Sequence, residues 1–151
     1  ITDTFDLVFA SYGCIGWLPE LTTWGQQIAK RLKPGGQFLF VEFHPVIWMF
    51  NNAFTTIEYA YFNRETIIEE EITTYTGNKM KEQTTAYSWN HSLSDVFQAL
   101  HQAGLQTEDF QEYDYSPWNC FEPTVPCANG WQIKGFEGKL PMVFSILLRK
   151  H

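Results

Sequence analysis

Apolar residues along the chain fall into runs, stripes and alternations, and each pattern predicts a different element. Two runs are nearly continuous: Phe5-Asp6-Leu7-Val8-Phe9-Ala10, and Gln37 to Phe43, which reads QFLFVEF. Such runs predict strands buried on both faces, as in a parallel sheet covered by helices. Between them a loop with Gly13 and Gly16 precedes a stripe, Leu21, Trp24, Gly25, Ile28 and Leu32, at the spacing of one helical face. Lys30, Arg31 and Lys33 crowd the end of this helix, where cations suit its macrodipole. Pro34-Gly35-Gly36 is expected to stop it. Strand, helix and strand make a right-handed βαβ unit over 1–45.

From 46 to 90 the pattern changes. Ile57, Tyr59 and Tyr61 alternate with polar or small neighbours, as do parts of 67–75 and 84–89. This alternation predicts a β-hairpin insertion, turning at Thr76-Gly77-Asn78-Lys79 and lying over the end of the sheet. From 91 onward a helix is expected, with Ser92 as N-cap, Asp95 in its first turn and Gly104 as its stop. Its apolar face is Leu93, Val96, Phe97, Leu100 and Ala103. Leu105 to Tyr115 predicts a half-exposed strand and Met142 to Leu148 a buried one. The segment between them, with Pro117, Pro123 and Pro126, is too long for a plain hairpin.

Composition narrows the partners. The 151 residues suit a single domain, and 44% hydrophobic content supports a real core. A net charge of −7 argues against nucleic acid, which needs clustered Lys and Arg. The acidic groups 69–71 and 108–114 read as solvated faces. Cys14, Cys120 and Cys127 form no CxxC pair and have no His at ligand spacing, so free thiols, no metal site and a reducing cytoplasm are expected. No apolar stretch is long enough to span a membrane, and no signal peptide is recognisable.

The order FDLVFASYGCIGWLPEL, helix, RLKPGGQFLFVEFHP resembles the second half of the class I S-adenosylmethionine-dependent methyltransferase fold. NHSLSDVFQALHQAGL resembles the helix before that fold's sixth strand, and LPMVFSILLRK its terminal seventh. The resemblance implies an α/β, Rossmann-like fold with strands in the order 4-5-7-6 and the last one antiparallel. It implies S-adenosyl-L-methionine as cofactor and a small organic acceptor. It also implies that Ser11, Tyr12 and Gly13, at the end of the first strand, approach the cofactor. No GxGxG occurs in the sequence, so these residues are expected to bind the cofactor weakly or not at all, and to be inactive as they stand.

Other candidates follow from position. Glu42 and His44 end a parallel strand, where chemistry collects in open α/β sheets. His44 is a candidate general base and, like Glu42, a candidate pocket residue. Trp17, Tyr61, Phe62, Trp89 and Trp118 are candidates for an apolar substrate pocket, with core filling as the alternative for each. The edge Asp6–Ala10 is expected to be bare and hydrophobic, paired with another copy or another chain. Two further functions stay open: a non-catalytic ligand-binding or dimerisation module, and half of a nicotinamide-dependent dehydrogenase.

Overall fold

The computed structural model describes the backbone of residues 2–73 and 79–151, and the side chains of 2–70 and 85–151. The sheet is built from β1 (Phe5–Ser11), β2 (Leu32–Phe43), β5 (Leu105–Tyr113) and β8 (Val143–Lys150), in the order β1-β2-β8-β5. β1 and β2 are parallel, while β8 runs antiparallel to both β2 and β5. This is the expected order, with the final strand in the sheet interior. It sits there because its alternate residues Phe144, Ile146 and Leu148 are fully buried.

Both helices, α1 (Thr22–Arg31) and α2 (Leu93–Gln102), contribute to one core with Phe38, Phe40, Phe144, Ile146 and Leu148. Trp24 packs its edge on Phe38 and Phe40, at centroid distances of 5.7 and 5.2 Å. Gly25 lets the helices close up: a Cβ there would lie 2.9 Å from the Ala99 carbonyl oxygen. Ser92 and Asp95 form a capping box at the start of α2. Lys150 Nζ donates to the Ala29 and Leu32 carbonyls, fastening the end of α1 to β8.

Two expectations need correction. β1 is not buried on both faces: Phe5, Leu7 and Phe9 are 42%, 55% and 58% exposed. Among the described residues the helical layer covers only the other face, to which Val8 and Ala10 contribute. Pro34-Gly35-Gly36 does not end α1, which stops at Arg31. These residues lie in β2, where the pairing with β1 shifts between Phe5 and Leu7. The long segment before β8 is, as expected, no plain hairpin connection: within it β6 (Thr124–Cys127) and β7 (Gly130–Ile133) form a small two-stranded sheet of their own. The acidic residues Glu108, Asp109, Glu112 and Asp114 are exposed, as a solvated face should be, and at that surface Glu108 pairs with Arg149 and Asp114 accepts from Gln132.

The insertion is a separate two-stranded sheet of β3 (Ile67–Thr73) and β4 (Lys79–Ser88), with Ile68 opposite Tyr87. Just after β4, the Trp89 amide donates to the Gly16 carbonyl, at the carboxyl end of the main sheet. The expected turn lies, apart from Lys79, outside the described residues. No helix among the described residues is long and apolar enough to cross a membrane.

Candidate functional site

The carboxyl ends of β1 and β2 lie side by side, and a sharp loop leaves β1 there. Tyr12 and Gly13 both take left-handed backbone, with φ of 40° and 74°. For a tyrosine this conformation is uncommon and must be held by its surroundings. Glu42, at the end of β2, does the holding. Its carboxylate accepts the Gly13 amide at 2.6 Å, the Cys14 amide at 2.8 Å and its neighbour Phe43's amide at 2.8 Å. The Tyr12 amide in turn donates to the Val41 carbonyl at 2.8 Å.

Glu42 is 3% exposed, so this corrects its placement among substrate-lining residues. A carboxylate taken from water needs several donors, and the loop supplies them. Its charge acts on the neighbours. Burial raises the Tyr12 phenol above its ordinary value, with lesser contributions from Tyr115 and Glu42. Burial, then Glu42, does the same to the Cys14 thiol.

Tyr12 opens onto a second cluster made almost wholly of rings. It meets Trp118 edge-on at 4.6 Å and Phe43 at 5.3 Å. Phe43 continues to Trp48 at 5.6 Å and to Phe121 at 5.4 Å. Behind them lie Phe54, Ile47, Ile133 and Met142, all buried. Four segments deliver Tyr12, Phe43, Trp48, Trp118 and Phe121: the loop after β1, the end of β2, the short 3₁₀ turn Ile47–Met49, and the segment before β6. Of these rings the sequence argument singled out Tyr12 and Trp118. Phe43 was legible only as the end of the second apolar run, and Trp48 carried no signal of its own.

His44 is 4% exposed. Its Nδ1 accepts the Val46 amide at 3.2 Å, which leaves the neutral ring's proton on Nε2. Nε2 lies 3.0 Å from Glu112 Oε1, close enough for electrostatic attraction but outside hydrogen-bond geometry. Burial holds the imidazole below its ordinary pKa of 6.5, against the opposing pull of Glu112. With its lone pair engaged and its ring out of solvent, His44 has no free acceptor for a substrate proton. Its placement as a general base is therefore corrected to a buried, neutral link between β2 and β5.

The remaining candidates separate into small groups. Trp17 is 60% exposed, in a 3₁₀ turn whose Gly16 carbonyl accepts from Trp89. Tyr61 accepts the Leu93 amide through its hydroxyl, and packs on Phe62, which is 67% exposed. The structure thus joins Ser11, Tyr12, Gly13, Glu42 and Trp118, but gives no direct contact from them to Trp17, Tyr61, Phe62 or Trp89. Among the described residues no group of His, Cys, Asp and Glu could hold a metal ion, and all three cysteines are free. Toward a cofactor the fit is partial. Nothing lies within 4 Å of where a Gly13 Cβ would stand, so the backbone there is open to a ligand.

No family model matches the sequence, and no curated protein matches it. Solved structures do match. A protein from Listeria monocytogenes described as an S-adenosylmethionine-dependent methyltransferase aligns with 100% of this chain and 63% of its own. Its TM-score is 0.59 at 16% identity. An S-adenosylmethionine-dependent methyltransferase from Mesorhizobium loti gives 99% and 63% coverage, TM-score 0.57 and 16% identity. A glycopeptide N-methyltransferase solved with S-adenosyl-L-homocysteine gives 100% and 57%, TM-score 0.50 and 15% identity. The chain has a Rossmann-like class I methyltransferase fold, and spans 63% of the first two structures' length.

Proposed function

We propose that this chain is part of an S-adenosylmethionine-dependent methyltransferase acting on a small organic acceptor. One observation carries the reading. Within a methyltransferase fold matched over 100% of the chain, a glycine-containing loop leaves β1 at the carboxyl end of two parallel strands, where ligands of open α/β sheets bind. A cofactor of this class would supply an electrophilic methyl group. The chain's own part is to present the open backbone of Gly13, wall the site with Tyr12, and keep water out with the rings beyond. Positioning and desolvation alone accelerate such a transfer greatly, and His44 is not required as a base.

The same reading holds that residues 1–151 by themselves bind the cofactor only weakly. The GxGxG pattern that lets backbone approach such a cofactor does not occur in them. The test is titration of the isotope-labelled chain with S-adenosyl-L-homocysteine, followed by amide NMR. The expected result is millimolar-range shifts concentrated at Ser11 to Cys14. Absence of shifts there at saturation would overturn the proposed site, and low-micromolar affinity would overturn the claim of weak binding.

A further inference from the structure

A cleft of about 250 Å³ opens beside the ring cluster, walled by Ile47, Trp48, Phe50, Phe54 and Phe121, with Glu122 on its rim. We propose that this cleft binds a small organic cation, an ammonium group carried on a ring or short alkyl chain. Resting on the methyl-transfer reading, we further propose that the bound cation is the methyl acceptor.

Size comes first. A dry apolar cavity of about 150 Å³ holds benzene, so this cleft has room for one ring and a short chain. Its walls are π faces and edges. Phe54 is 6% exposed and Ile47 1%, while Trp48 keeps 42% of its surface open although its ring touches Phe43 and Phe121. An indole half in and half out of an aromatic cluster offers a surface to a ligand, and a cation is the ligand it favours.

Charge decides the class. No Lys or Arg lines the cleft, so no positive charge there would balance an anion. The Glu122 carboxylate is exposed and has no hydrogen-bond or ionic partner among the described residues. Asn51, which lines the wall with Asn52 and Cys120, is already occupied. Its side chain donates to Thr55 Oγ1 and accepts the Thr55 amide. The one charged group lining the cleft is thus a carboxylate, set among aromatic residues with the neutral amide of Asn52 also exposed there. The cleft is also near the loop after β1, since Trp48 and Tyr12 both pack on Phe43, at 5.6 and 5.3 Å.

The experiment is a calorimetric titration of the chain at neutral pH with three probes of one shape: phenethylammonium, 2-phenylethanol and phenylacetate. The cation is expected to bind about tenfold more tightly than the alcohol, and phenylacetate more weakly than either. Glu122→Gln should bring the cation down to the alcohol. Trp48→Leu should weaken the cation more than the alcohol. Equal or tighter binding of the alcohol or the acid overturns the proposal, as does a cation preference that survives Glu122→Gln. Because no methyl donor is present, the result is independent of methyl transfer. Cation binding by a protein that moves no methyl group to any amine would leave the cleft assigned and overturn only its role as acceptor site.

Discussion

The Glu42 carboxylate reaches back 29 residues to accept the Gly13 amide at 2.6 Å, so the end of one strand fixes the backbone that leaves its neighbour. Glu42→Ala would leave the Gly13, Cys14 and Phe43 amides without their acceptor. The expected loss is about 3 kcal/mol in chemical denaturation. Glu42→Gln retains one acceptor oxygen and should lose roughly half as much. In both variants amide exchange at Gly13 and Cys14 should quicken more than in the centre of β2. Unchanged protection at those two amides would dissociate Glu42 from the loop.

His44 makes stability depend on pH in a defined direction. The folded chain holds its imidazole below 6.5, whereas the unfolded chain takes up the proton near that value. The stabilisation is therefore complete above pH 6.5 and is lost as pH falls from there through the folded pKa. Denaturation across pH 4 to 8 should show this decline, and His44→Gln should remove its part of it. Glu112→Gln, by deleting the anion that favours imidazolium, should carry the decline to lower pH.

Gly25→Ala tests the contact between the helices. The added Cβ would meet the Ala99 carbonyl oxygen at 2.9 Å, and backbone on a packed helix yields little. Overpacking of this kind costs about 1–3 kcal/mol, against a gain of about 1 kcal/mol from exchanging a helical glycine for alanine. A net fall in melting temperature is expected. A rise would mean that α1 and α2 slide apart without penalty.

The outer face of β1 invites association. Phe5, Leu7 and Phe9 stand exposed on an edge strand that, among the described residues, pairs with β2 alone. Sedimentation of the chain alone is expected to show concentration-dependent self-association, reduced by Phe9→Lys, which charges the edge as natural edge strands do. A monodisperse monomer at high concentration would remove this face from consideration as an interface.

The hydrophobic pattern revealed the sheet because order and direction are carried by long, strongly patterned segments. Phe5–Ala10, Gln37–Phe43 and Met142–Leu148 were legible as strands, and Ser92 with Asp95 as a helix start. The pattern did not reveal which face of β1 is covered. A continuous apolar run reports that a strand can be buried, whereas coverage depends on which helices pack there. Pro34-Gly35-Gly36 misled for a related reason: such residues suit a helix stop and a strand irregularity equally, and only the pairing with β1 distinguishes them. At the candidate site, position at a strand end drew attention to Glu42 and His44, both of which are buried. Their roles depended on partners far away in sequence, Gly13 and Glu112. The rings of Phe43, Trp48 and Phe121 come from separate segments, and nothing local in any one of them announces a cleft.

The placement of β8 between β2 and β5 also sets a timetable for synthesis. A ribosome delivers β1, α1, β2, α2 and β5 before the strand that must lie between two of them, so both neighbours expose open hydrogen-bonding edges until Val143–Lys150 emerges. Its side chains Phe144, Ile146 and Leu148 then close the core in a single late step. A nascent chain halted short of Val143 should engage holdase chaperones more strongly than one that extends past Lys150.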